Sequence, residues 1–491
     1  MTITKIGNVL LLVTAVLLTT RGLMAGSGAA DKYDVVILNG RVMDPESGLD
    51  AIRNIGIRDG KILVVTKSAL RGREIIDAKG LVVAPGFIDL HEHAQLPRSY
   101  AFQARDGVTT SLELEMGTDD VDKWYADREG KTLINYGVSV GESLVRMDVM
   151  AKVLTSTPLE EEEASHRTPT SEEQKKILEL VEKGLRQGAL AVGYGINYTP
   201  GASRWEIFDS FQLAAKYGAM NDVHMRFLGT VEPGSAMEGL QELIADATAT
   251  GASLNVVHIT SIGLRDTPRL LDVIKGAREH GLVVSTECYP YTAASAPLNT
   301  ALFDSNWQER MGITYQDLQW VATGERLTAG TFAKYRKQEG TVVIHLIPEE
   351  IVRLAVADPM VIIASDGMPI SGPKIHPRGQ GTYSRVLGLY VRQERVLSLM
   401  EALRKMTSMP AQRLENHAPA FKYKGRIRVG ADADITAFDP ERIIDKATFE
   451  DPLQYSEGVE FVLVNGIPVV RESRLVQGVT PGRAARAPII R

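Results

Sequence analysis

The chain has 491 residues, 44% of them hydrophobic and 24% charged, with a formal net charge of −6. That balance speaks against nucleic-acid or anionic-membrane partners, which select basic patches, and the length calls for one large domain with a smaller companion. Cys288 is the single cysteine, which excludes an intrachain disulfide.

Residues 1–30 combine Lys5, an apolar run over 9–18 and the small residues Gly28 and Ala30 ahead of Asp31. This is the pattern of a secretory signal, and the run is shorter than the roughly 20 residues of a membrane span. The mature chain is expected to be exported, periplasmic or secreted, and free of the membrane once cleaved. From 31 to 86 the sequence alternates short β-prone runs with turn pairs at Asn39-Gly40 and Asp59-Gly60, a hairpin signature that returns over 419–491 with Asn465-Gly466. The two ends are expected to build one small β-sandwich domain.

The middle, 87–418, alternates strand-like apolar runs with amphipathic helical stretches, as parallel α/β sheets do. Strand-like runs fall at 87–93, 109–115, 133–140, 190–195, 221–226, 254–259, 283–291 and 361–367. Eight βα units make a (β/α)8 TIM-type barrel, with an open α/β sheet as the alternative. Residues 297–340 break the rhythm and read as an insertion near the mouth of the site.

Catalytic groups in such a barrel come from the carboxyl ends of the strands. Strand one ends in His91-Glu92-His93, where period-two alternation directs both imidazoles to one side. Strand five ends in His224, strand six in His258 and strand eight in Asp366. Neutral imidazoles with carboxylates suit zinc and related divalent ions, one or two of them. On strand two, Glu115 is a candidate bridging ligand and Glu113 its rival; both share one face, so spacing does not choose between them. Cys288 has no paired base and reads as a buried structural thiol.

The pattern Pro85-Gly-Phe-Ile-Asp-Leu-His-Glu-His93 with His224, His258 and Asp366 resembles the amidohydrolase superfamily. Further stretches resemble its N-acyl-D-amino-acid deacylase branch: Gly107-Val-Thr-Thr110, Gly193-Tyr-Gly-Ile-Asn-Tyr-Thr-Pro-Gly201, Val223-His-Met-Arg226, Tyr289-Pro-Tyr291, Ala364-Ser-Asp-Gly367, His376-Pro-Arg378 and Thr407-Ser-Met-Pro-Ala411. The resemblance implies substrate-carboxylate contacts from Arg378 and Tyr289. A third contact, a lysine in that branch, falls on Thr260, and the branch's strand-two cysteine falls near Met116. A histidine expected by resemblance after strand three is replaced by Glu142.

The resulting expectation is a metal-dependent hydrolase of a linear amide, a small-molecule N-acyl-(D-)amino acid with a non-acidic side chain. A divalent metal brings the pKa of water to about 7. Asp366 then acts as general base and acid, and Tyr198 helps to polarise the carbonyl. Hydrolysis of a cyclic amide or a dipeptide is the alternative, and a non-catalytic binding relative is disfavoured by the complete ligand set.

Overall fold

Eight parallel strands surround the centre of the molecule: Phe87–Asp89, Val108–Thr118, Asn135–Gly141, Ala191–Gly195, Met220–His224, Ser253–Val256, Val284–Cys288 and Val361–Ile363, each bonded to the next in chain order. All eight coincide with the strand-like runs of the sequence. The computed structural model describes residues 32–151 and 162–490; the expected signal segment lies outside them. Strands one and eight have only three residues each, and they join just beyond their ends. The Asp366 N–H donates to the His91 carbonyl at 2.7 Å, and the His93 N–H donates to the Gly367 carbonyl at 2.9 Å. The seam of the barrel is therefore stitched by the residues expected to carry its chemistry.

Helices between the strands bury one apolar stripe. Ser171–Arg186 buries Ile177, Val181 and Leu185, spaced four apart, and starts at a capping box of Thr170 and Glu173. Inside the barrel, Ile88, Leu90, Leu112, Leu190, Met220 and Ile362 pack with Leu414, Phe421, Ala485 and Ala487 into an apolar floor. The polar site above can use the strand ends because this floor supplies the barrel with a core.

Both chain ends join one nine-stranded sheet. Its order runs from Arg474–Leu475 through Ile467–Arg471, Val459–Val464, Ile435–Phe438, Val82–Pro85, Tyr33–Asp44 and Leu49–Arg58 to Lys61–Thr66, with Gly72–Asp77 beside Tyr33–Asp44. Asp59-Gly60 and Asn465-Gly466 form tight hairpin turns with positive φ at all four residues. Asn39-Gly40 does not: Tyr33–Asp44 continues through it, and the register shifts between Ile37 and Gly40. Asn39 takes a φ of 63° there, so the same left-handed preference that suits a turn serves a bulge instead. The last residues also depart from expectation. After the sheet, the chain returns beneath the barrel, where the Ala485 N–H donates to the Tyr136 carbonyl at 2.7 Å and the Ala487 N–H to the Gly188 carbonyl at 3.1 Å.

The break expected at 297–340 is wider in the structure. Ala293–Pro297, Leu318–Trp320 and Thr341–His345 form a three-stranded antiparallel sheet between barrel strands seven and eight.

The sheet and the barrel are joined by a buried polar network. Asp434 accepts from Lys424 Nζ at 2.8 Å, Asn135 Nδ2 at 2.9 Å and the Asn465 N–H at 2.7 Å. Removing one partner of a buried ion pair strands the other charge. Lys424, however, keeps a second partner in Asp432 at 3.0 Å. Asp434→Ala should therefore lower unfolding stability by about 1–3 kcal/mol in urea titrations, chiefly through the unsatisfied Asn135 and Asn465 donors; no measurable loss would show that the network does not join sheet to barrel.

Candidate active site

At the carboxyl ends of the strands, His91, His93, Glu115 and Asp366 present ligand atoms within 4.8 Å of one another, and Glu115, His224 and His258 form a second such group. Glu115 belongs to both, so one carboxylate spans the two. Its Oε2 lies 2.5 Å from His91 Nε2 and 3.6 Å from both His93 Nε2 and His258 Nε2, and its Oε1 lies 3.0 Å from His224 Nδ1. Glu113 instead turns back and accepts from His93 Nδ1 at 2.7 Å. The structure thereby separates two residues that share a strand face: Glu115 sits between the imidazoles and Glu113 orients one of them. A close backbone approach helps to aim Glu115, since a Cβ on Gly193 would fall 2.2 Å from the Glu115 carbonyl oxygen.

The donor set fits a divalent cation. His91 Nδ1–H donates to Glu287 Oε1 at 2.6 Å, which directs the lone pair of Nε2 at the Glu115 carboxylate. Two acceptors at such range need a cation between them, a proton or a metal. Burial disfavours a charged His91, but Asp366, Glu115 and Glu287 outweigh it and hold the ring well above its usual range. Burial likewise opposes protonation of His93, and Glu113 with Asp366 pushes it up to about 10. His224 behaves differently, lowered chiefly by burial, and its Nε2 is buried without a partner. A metal ion would replace those protons and use these lone pairs.

Two of the residues have unusual backbone. His258 has a φ of 29° and Asp366 a φ of 53°, in a region where non-glycine residues cost about 1–3 kcal/mol. Both stand at strand ends where a straight continuation would carry the side chain past the cluster. Asp366 is held by Arg378, whose Nη2 donates to Oδ1 at 2.8 Å. Burial works to raise the Asp366 carboxyl, but Arg378 and His91 hold it below the usual carboxylate range.

The cluster opens into a cavity of about 570 Å³ whose wall includes Tyr198, Tyr289 and Arg378. Arg378 is 1% exposed, its guanidinium lies 4.7 Å from the centre of the Tyr289 ring, and its Nε and Nη1 are buried without partners. Tyr198 sets its ring edge-on to His224 at 4.8 Å. The remaining substrate candidate is placed otherwise. Thr260 is fully buried and outside the cavity wall, to which Ser261 and Ile262 contribute. The short helix Ile259–Gly263 carries this stretch, and its turn brings the next residues forward rather than the second after His258.

Several groups escaped the sequence reading. Glu287, Asp222 and Asn255 form a buried chain behind His91, with Asn255 Nδ2 donating to Asp222 Oδ1 at 2.6 Å. The strand-seven alternation could have flagged Glu287, which stands one residue before Cys288. His376, which opens the His376-Pro-Arg378 stretch, accepts from the Arg378 N–H at 3.1 Å and donates to the Ala293 carbonyl at 2.8 Å, bracing the arginine loop against the insertion. Glu142 opens the helix Glu142–Ala151 and is buried near Glu206 rather than in the cavity wall; burial, then Glu206, raises its carboxyl well above the usual range.

The amidohydrolase family pattern matches residues 206–470, more than half of the chain. The chain belongs to the amidohydrolase family and is a hydrolytic enzyme acting on amide bonds other than ordinary peptide bonds. It is 28% identical over 484 residues to an N-acyl-D-glutamate deacylase of Alcaligenes xylosoxydans xylosoxydans, covering 89% of this chain and 94% of the relative. It is 26% identical over 497 residues to a D-aminoacylase of the same organism, covering 90% and 95%. The crystal structure of N-acyl-D-glutamate deacylase from Bordetella bronchiseptica, complexed with zinc and a phosphonate mimic of the tetrahedral intermediate, superposes with a TM-score of 0.80 at 26% identity, over 93% of this chain and all of that one.

Partners that orient a ligating imidazole typically govern metal affinity by about 10–100-fold. Glu287→Gln should weaken metal binding within that range in competition with a chelator, and Glu115→Ala should lower the number of ions bound per chain. Wild-type affinity in Glu287→Gln would remove Glu287 from that role.

Proposed function

We propose that the chain is a zinc-dependent deacylase that cleaves the amide of an N-acyl amino acid with an apolar side chain, of D configuration by its similarity to the deacylases above. The observation that carries this reading is Arg378: a fully buried guanidinium on the wall of the metal-cluster cavity, with two nitrogens unpaired and the third on Asp366. A buried cation with unpaired donors suits an anionic group such as a carboxylate. The face of Tyr289 supports the guanidinium from one side.

His91, His93, Glu115, His224, His258 and Asp366 would hold one or two zinc ions, with Glu115 shared between the two ligand groups. When bound, such an ion supplies Lewis acidity, acidifying water and polarising the acyl carbonyl. Asp366 lies 3.4 Å from His93 Nε2 and 3.6 Å from His91 Nε2, at the centre of the cluster. Kept anionic by Arg378, its carboxylate takes the proton of the attacking water and delivers it to the leaving nitrogen. Burial, followed by the Glu115 and Asp366 carboxylates, raises the Tyr198 hydroxyl well above its usual range. It therefore remains an O–H donor, fit to bond the acyl oxygen as negative charge grows on it.

The insertion lines its side of the cavity with Ala296, Pro297, Leu302, Met311, Ile344 and Leu346. Apolar groups here favour an apolar side chain, and this wall offers no base to an acidic one. The composition of residues 1–30 supports export, with deacylation taking place outside the cytoplasm.

Chelation should abolish hydrolysis of N-acyl-D-amino acids with apolar side chains, and added zinc should restore it. Activity indifferent to chelation, or inertness of the zinc-loaded protein across a panel of N-acyl amino acids, cyclic amides and dipeptides, would overturn the assignment. Asp366→Asn should reduce kcat about 10²–10⁴-fold, the usual worth of general acid–base catalysis. Arg378→Met should raise KM for substrates with a free carboxylate and also lower kcat, because Asp366 loses the cation that keeps it anionic.

A further inference from the structure

The cavity has a second cationic wall that the reading above does not use. Arg128 closes the helix Val121–Arg128, which follows barrel strand two, and lines the cavity together with Gln95, Asp119 and Trp124. Its guanidinium carbon lies over the indole of Trp124, 3.8 Å from the ring centre. Nη1 donates to the Trp124 carbonyl at 3.0 Å, Nη2 reaches the Gln95 carbonyl at 3.4 Å, and Nε is buried without a partner. These acceptors are neutral. The nearby acid Asp127 is engaged by Lys123 at 2.7 Å, and no carboxylate among the described residues forms an ion pair with Arg128. Stacking and two carbonyls thus fix the fork while leaving its charge unneutralised.

The two arginines flank strand one. Arg378 follows strand eight, Arg128 follows strand two, and His91 and His93 end the strand between them. A linear amide whose carbonyl rests at the cluster extends its amine half one way and its acyl half the other. With Arg378 holding the carboxylate of the amine half, the acyl half runs toward Arg128.

We propose that Arg128 recognises an acyl group ending in a carboxylate, so that the substrate is an N-acyl amino acid whose acyl chain is a dicarboxylic acid joined through one end. This rests on the deacylase reading. Hydrolysis consumes one water, breaks the acyl C–N bond, and releases a dicarboxylic acid and a free amino group. Asp119 stands on the same wall, where its hydroxyl contact from Thr118 is long, at 3.5 Å. Its like charge tempers the attraction of Arg128 for an acyl carboxylate.

The test compares the N-glutaryl and N-pentanoyl derivatives of one amino acid, equal in length and differing in the terminal carboxylate. The zinc-loaded wild type should favour the glutaryl compound by about tenfold in kcat/KM, the scale of a charge-assisted hydrogen bond in a partly buried site. Arg128→Gln should bring the ratio close to one, Arg128→Lys should restore part of it, and Asp119→Asn should raise it. A wild-type ratio at or below one, or a ratio unmoved in Arg128→Gln, would overturn the proposal. Calorimetric binding of glutarate supplies a readout independent of turnover: wild type should bind more tightly than Arg128→Gln of matched melting temperature, and equal affinities would count against the subsite. Failure to hydrolyse either compound, with glutarate binding still dependent on Arg128, would sink the deacylase reading and leave the anion subsite standing.

Discussion

Four imidazoles and two carboxylates buried in one small volume cannot all present lone pairs to one another. The His91 ring shows the constraint most sharply: Glu287 takes the hydrogen on one nitrogen, and Glu115 faces the other at 2.5 Å. Without a cation that arrangement is repulsive, and the shifted affinities of His91 and His93 for protons express the same demand. Much of the nearby architecture serves to keep these acceptors together. The positive φ at His258 and Asp366 turns two strand ends inward, and the Glu287–Asn255–Asp222 chain fixes the ring behind them.

The same residues close the barrel. Strands one and eight are too short to pair along their length, so the backbone bonds that join them come from His91, His93, Asp366 and Gly367, with Ser365 bonding across to Asp89 and Glu92. Closure and catalysis share one set of backbone bonds, so the ligand geometry is tied to the integrity of the barrel. Below, the apolar floor and the returning tail supply the burial that a polar upper half does not. The end-strand sheet is anchored through Asp434 and Asn135, next to the start of strand three.

Around the cluster the cavity divides by chemistry. Arg378 and Tyr289 stand on one flank, the insertion contributes an apolar wall, and Arg128 on Trp124 stands beyond strand one. His376 couples the first two, because it bonds both the Arg378 backbone and the first strand of the insertion. An insertion that shapes a binding wall and also braces an anion-binding loop makes side-chain selection and carboxylate grip mutually dependent.

The eight strand runs and the histidines at their ends were legible because both follow from local rules: period-two burial, and polar groups appearing where apolar runs stop. The hairpins at Asp59-Gly60 and Asn465-Gly466 were legible for the same reason, whereas Asn39-Gly40 shows the limit, since a left-handed pair serves turn and bulge alike. What tertiary structure alone decided are relations between segments distant in the chain. Glu115 was chosen over Glu113 because Gly193 on another strand lets the backbone approach, and because His224 and His258 arrive from the far side. Thr260 left the cavity because the turn after His258 presents Ser261 instead, and Glu287 became a partner of His91 across 196 residues of chain. Residue types and their periodicity specified which chemistry was present; the meeting of lone pairs, a property of three-dimensional distance, specified which atom faces which.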